Sequence, residues 1–95
     1  MRISSAQSRF LKEEIRQHLP SAKTYLFGSR ADEQKRGGDI DILVIGSRPL
    51  TLQEKRKIKI AFFRRFGEQK VDLVSFREGD PSPFKKIAEM EGVPL

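Results

Sequence analysis

Asp39 and Asp41 flank Ile40 in the run Gly38-Asp39-Ile40-Asp41-Ile42, where residue type and spacing together point to chemistry. In a strand, alternate residues share a face, so both carboxylates project to one side and Ile40 and Ile42 to the other. The two aspartates then stand roughly 7 Å apart along the backbone, close enough for their tips to lean together around a cation. Without a cation such like charges repel, and one tends to hold a proton. The plain alternative is two ordinary surface charges at the start of a strand. Upstream, Gly28-Ser29 directly follows a short apolar run. A glycine lets backbone approach a phosphate closely, and a serine hydroxyl with its neighbouring N–H groups can hydrogen-bond the phosphate oxygens. A simple turn is the competing reading of the pair. Downstream, Asp72 lies among Val71, Leu73 and Val74. An aspartate in an apolar strand needs a partner or a cation to offset its desolvation. If the strands pair, a phosphate cradle and three carboxylates converge on one sheet face, which is the layout of a two-metal site.

These residues need elements to hold them, and the chain supplies a short series. Ser4 with Gln7 forms a capping box that opens a helix ending before Pro20, with Phe10, Leu11, Ile15 and Leu19 as its apolar stripe. Thr24 to Phe27 reads as a strand halted by Gly28, and the polar stretch from Arg30 to Gly38 as a loop. Ile40 to Ile45 is a second strand, stopped by Gly46-Ser47 and Pro49. Thr51 with Glu54 caps a helix running to about Phe66, with Ile58, Phe62 and Phe66 facing the core and Gly67 at its stop. Val71 to Phe76 is a third strand. Ser82-Pro83 opens a last helix with Phe84, Ile87 and Ala88 as its stripe, closed by Gly92 and Pro94. The order helix, strand, strand, helix, strand, helix predicts an α/β (α+β) fold: a small mixed sheet of three core strands with helices packed on it. The second and third strands are joined through a helix, so they should run parallel as neighbours or nearly so, by a right-handed crossover.

With these residues in place, the segments Leu26-Phe27-Gly28-Ser29-Arg30-Ala31 and Gly38-Asp39-Ile40-Asp41-Ile42-Leu43-Val44 resemble the signature of the minimal nucleotidyltransferases, members of the DNA polymerase β superfamily. The family pattern is a Gly-Ser, a loop, an Asp-x-Asp and a third carboxylate on a later strand, and all three carboxylate positions are filled. The loop holds nine residues (30–38), and Asp32-Glu33 stand where the family usually carries a glycine. The resemblance implies a nucleotidyltransferase fold in which Asp39, Asp41 and Asp72 hold two Mg²⁺ ions. Gly28, Ser29 and Arg30 would bind the phosphates of ATP or another nucleoside triphosphate. An acceptor oxygen would attack the α-phosphorus, releasing pyrophosphate. It further implies a helical HEPN-domain protein as partner and acceptor. In that setting the chain would be the antitoxin of a toxin–antitoxin pair, acting by AMPylation of the toxin, by binding it, or both.

Length and composition set the limits around that reading. The 95 residues suit one compact domain spanning 1–95, with no room for a separate acceptor-recognition module, so the acceptor is expected on another molecule. There are no cysteines, which excludes disulfides, thiolate metal sites and cysteine nucleophiles. The first residues carry charge throughout and show no apolar signal-peptide core, and no apolar run is long enough to cross a bilayer. A soluble, cytoplasmic domain is expected. The net charge of +6 favours anionic partners without choosing among nucleotides, nucleic acid and acidic protein surfaces.

Other residues invite functional readings that the chain makes less economical. His18, the single histidine, sits at a predicted helix C-terminus, where it complements the dipole, so a structural role is expected. The seven phenylalanines fall at helical or strand spacing, which predicts core residues without an exposed aromatic pair for base stacking, and Tyr25 is expected to be a buried strand residue. Lys55, Arg56, Lys57, Lys59, Arg64 and Arg65 make the middle helix strongly basic, either as a solvated face or as a docking surface for an acidic acceptor. Three functions compete: a Mg²⁺-dependent transferase, a binding module that masks its partner, and a small basic RNA-binding domain. The clustered carboxylates favour the first. The third lacks an aromatic RNP strand or GXXG loop.

Overall fold

The computed structural model describes residues 3–28 and 39–95. Helix α1 (Ser5–His18) leads to strand β1 (Lys23–Phe27), then strand β2 (Ile40–Gly46), helix α2 (Leu52–Phe66), strand β3 (Val71–Arg77), helix α3 (Pro83–Glu91) and a short strand β4 (Val93–Pro94). Each helix begins where its capping chemistry dictates. The Ser4 hydroxyl accepts from Gln7 N at 3.0 Å while Gln7 Oε1 accepts from Ser4 N at 3.0 Å. Thr51 and Glu54 make the same reciprocal pair at 3.1 and 2.9 Å. Such caps satisfy otherwise orphaned N–H groups and are worth about 1 kcal/mol each. At the other end of α2, Gly67 takes a left-handed φ of 87° and donates to Phe63 O at 2.8 Å. A side chain would be strained there.

The sheet has the order β3-β2-β1-β4. Strands β2 and β3 are parallel neighbours, as the helical connection requires, and β1 pairs antiparallel with both β2 and β4. The nucleotidyltransferase fold expected from the sequence, a small mixed sheet with helices packed on it, is therefore present. Alternation along the strands splits the sheet into two unlike faces. One face carries Leu26, Ile40, Ile42, Val44, Val71 and Leu73 into the main core beneath α1 and α2, where Leu11, Ile15, Ile58 and Phe62 meet them. Contacts of His18 with Glu54, and of Phe10 with Phe62 and Phe66, make α1 and α2 antiparallel. The opposite face holds a small cluster of Leu43, Ile45 and Ala88, with Tyr25, Phe27 and Phe76 around it.

The structure corrects three expectations. The sheet has a fourth strand: Val93 pairs with Leu26 and Pro94 with Tyr25, in a segment read as a helix terminator. Two residues are too few to show a period, and Pro94 is tolerated because the strand lies at the edge. Gly92 makes the close return possible, since a Cβ there would stand 2.7 Å from Ala88 O and 2.9 Å from Tyr25 Cβ. The α3 stripe is displaced: Ala88 and Lys85 face the sheet, while Phe84 and Ile87 are 49% and 55% exposed. Lys85 lies with its stem buried and its ammonium 3.9 Å from Glu89, a snorkelling arrangement. The phenylalanines are not uniformly core. Phe62 is fully buried, Phe63 and Phe84 are exposed, and the others, like Tyr25, are half-buried.

Candidate active site

The face opposite the main core carries the carboxylates. Register pairs Asp41 with Asp72 on β3 and with Phe27 on β1, so the two aspartates are direct neighbours at the starts of parallel strands. Adjacent strands lie about 4.8 Å apart, which sets the backbone separation of the pair. The main-core packing of Ile40 and Ile42 forces this orientation, because a one-residue slip would bury Asp41 and expose both isoleucines. Burial pushes the Asp41 carboxyl above its usual value, and the charges of Asp72 and Asp39 push it the same way, while Lys70 partly opposes them. A group so placed favours any cation that can join it.

Gly28 closes the site from the β1 side. It follows Phe27 with φ 75°, and a Cβ on it would stand 2.5 Å from Asp41 Oδ2. Two independent constraints therefore call for glycine: the left-handed backbone and the carboxylate against its Cα. The turn that would receive phosphate and the carboxylate that would receive a cation are thus in contact. Ser29 and Arg30, the other expected phosphate ligands, lie outside the described residues.

Asp39, just ahead of β2, has its Oδ2 3.5 Å from Lys70 Nζ, and both side chains are substantially exposed. Ile40 N donates to Lys70 O at 3.0 Å, which holds the two segments together at this end. Lys70 is the site residue that sequence reasoning missed. The available signal was its position two residues before Asp72, which places it on the same face if the strand is extended backwards. Carboxylate oxygens are hard ligands of the kind Mg²⁺ takes, and one lysine does not balance Asp39, Asp41 and Asp72, so the donor set fits a divalent cation. As the side chains stand, no group of three His, Cys, Asp or Glu among the described residues is arranged to hold a metal ion. Asp39 is drawn instead to Lys70.

A cavity of about 450 Å³ lies at α1 and the C-terminal residue, lined by Ile3, Ser5, Ser8, Arg9, Lys12 and Leu95. It holds none of the carboxylates, and the chemistry of the Asp41 face outweighs its size as a guide. His18 is also remote in role: its Nδ1 lies 3.4 Å from Glu54 Oε2, tying the end of α1 to the start of α2.

The fold, together with a glycine turn set against strand carboxylates, defines a protein of nucleotidyltransferase architecture. The family described as nucleotidyltransferase domain matches residues 8–95, and the chain belongs to it. Its class of activity is accordingly transfer of a nucleotidyl group. None of the curated proteins matches the chain. No helix among the described residues is long and apolar enough to cross a membrane.

Proposed function

We propose that this domain transfers AMP from ATP to a hydroxyl on a partner protein, with Asp39, Asp41 and Asp72 as metal ligands and Gly28, Ser29 and Arg30 as the phosphate-binding turn. The observation that carries the reading is the register of Asp41 against Asp72 with Gly28 in contact with Asp41. Magnesium bound at the carboxylates would neutralise charge on the triphosphate and on the developing alkoxide. The missing Cβ of Gly28 leaves room for the Asp41 carboxylate itself, so the phosphate-binding turn and a metal ligand would lie side by side, and Ser29 and Arg30 would bind phosphate oxygens. Asp72, at the far side of Asp41 from the glycine, would accept the proton of the acceptor hydroxyl. The acceptor oxygen bonds to the α-phosphorus, the bond to the β-phosphate oxygen breaks, and pyrophosphate departs. Positioning and charge stabilisation supply the rate.

A protein acceptor is favoured by α2. Its exposed side joins Leu52, Ile60 and Phe63, at 72%, 46% and 56% exposure, to Arg56, Lys57, Lys59 and Arg64. Apolar side chains ringed by cations suit an acidic protein surface better than a nucleotide. A helical HEPN-type protein, neutralised as the toxin of a pair in the cytoplasm, is the partner this reading adopts. The same surface favours a second reading, in which the domain neutralises its partner by complex formation alone.

One experiment separates the two. Purified protein, α-labelled ATP and Mg²⁺ are added to an extract of the source cells, with Asp39→Asn/Asp41→Asn as control. A labelled macromolecule seen with the intact protein and absent with the variant supports transfer. A stable complex without label from any of the four nucleotides supports masking.

A further inference from the structure

We propose that Phe84, with Phe27 behind it and Ile87 beside it, forms the shelf on which the base of the nucleoside triphosphate stacks, giving a site that prefers purines without strictly separating adenine from guanine. The inference rests on the carboxylate site proposed above and extends it to the far end of the same ligand.

The geography of the face leads to this shelf. Asp41 has Asp72 on one side and Phe27 on the other, and the next rows along β2 are Leu43 with Tyr25 and Val74, then Ile45 with Lys23 and Phe76. The Phe84 ring lies 5.8 Å from Phe27, edge to face, and 6.2 Å from Phe76. It therefore spans the face between the row of Asp41 and the row of Ile45. One strand spacing of about 4.8 Å separates Asp41 from Phe27. Phe84 packs on Phe27, the neighbour of Asp41 across the strand pair, so the aromatic surface adjoins the row that carries the carboxylate.

Two rings hold Phe84 in place while half of its own surface stays open. Ile87, one turn further along α3, continues the open apolar surface. An exposed aromatic anchored from behind is what a base needs for stacking, and stacking depends on area rather than on hydrogen bonds. Larger purine rings therefore gain more than pyrimidines, while adenine and guanine gain nearly alike.

The test measures equilibrium binding with Mg²⁺ present, using ATP, GTP, CTP and tripolyphosphate, the last of which has no base. In wild-type protein ATP and GTP should bind within about threefold of each other and more tightly than CTP. Phe84→Ala should weaken ATP about tenfold and leave tripolyphosphate unchanged. Phe84→Trp should retain ATP binding and report it by quenching of the new indole. Thermal unfolding confirms that each variant is folded. Equal weakening of ATP and tripolyphosphate, or no change in ATP, overturns the shelf. Unchanged nucleotide binding with loss of partner binding reassigns Phe84 to a protein contact. Wild-type protein that binds neither ATP nor tripolyphosphate, with Asp39→Asn/Asp41→Asn indistinguishable from it, overturns the carboxylate site and the shelf together. Tripolyphosphate binding that depends on the aspartates, without added affinity for ATP, overturns the shelf alone.

Discussion

The two faces of the sheet share the same strands and divide the work of the molecule between them. Beneath α1 and α2, Leu26, Ile40, Ile42, Val44, Val71 and Leu73 are all at most 6% exposed, and Phe62 closes the layer. Beneath α3 the buried cluster shrinks to Leu43, Ile45 and Ala88, and the positions around it include carboxylates and half-open aromatic rings. A nine-residue helix that meets the sheet through one alanine, one lysine stem and one half-open phenylalanine covers little area. One face thus carries the cooperative packing, which permits the other to tolerate charge crowding and open rings that would be costly in a core.

That division can be broken from either side. On the closed face, Phe62→Ala should have the largest effect on folding, about 3–5 kcal/mol, since it removes a fully buried ring that touches Phe10 and Phe66. Urea unfolding at neutral pH reads this as a lowered midpoint with little change in slope. On the open face, Asp39→Asn/Asp41→Asn should do the reverse. Mg²⁺-dependent triphosphate binding should fall beyond detection, on the order of 100-fold or more, while the metal-free fold survives. Binding calorimetry with and without Mg²⁺ checks the first outcome and circular dichroism the second.

Asp41→Asn alone sharpens the contrast. Because burial and two neighbouring carboxylates raise Asp41 above its usual value, the folded state holds that proton more tightly than the unfolded chain. Its contribution is therefore present below the usual carboxylate value and is lost as pH rises through the raised one. Metal-free Asp41→Asn should escape that loss and melt a few degrees above wild type at pH 7, roughly 1–3 °C, with the difference shrinking toward pH 3. An unchanged melting curve at both pH values would mean that Lys70 already relieves the crowding.

The smallest expected effect lies at the α1–α2 junction, remote from the site. Glu54 accepts from both Arg48 guanidinium nitrogens at 2.7 and 2.9 Å and from Thr51 N at 2.9 Å, and its carboxyl is held down at about 2. The sign is opposite to that of Asp41: the stabilisation is present above the usual carboxylate value and disappears as pH falls toward 2. Glu54→Gln keeps a capping side chain but removes the charge. Its melting temperature should lie slightly below wild type at pH 7 and converge with it near pH 2, with nucleotide binding untouched. Altered nucleotide affinity in this variant would show that the two regions are coupled.

The capping pairs Ser4–Gln7 and Thr51–Glu54, the runs of β2 and β3, and the parallel order of those strands were all readable from local residue chemistry. Strand period predicts both carboxylates of the Asp-x-Asp on one face; the structure sets Asp41 in register with Asp72, while Asp39 stands just ahead of β2 beside Lys70. By contrast, β4 and the tilt of α3 were not readable, because one has too few residues to show a period and the other carries apolar residues on a flank as well as on its buried side. Lys70 escaped notice because a lysine before a strand is ordinary until its neighbour across the sheet is known.

What the sequence determined by itself is therefore local and one-dimensional: which residues cap, which alternate, and which side of β2 is apolar. Tertiary structure alone decided that Gly28 touches Asp41, that Lys70 pairs with Asp39, and that Phe84 rests on Phe27 with half its surface open. Each of those contacts joins residues from different elements. Their distances follow from strand register and helix placement, which depend on packing summed over the whole core rather than on any local pattern.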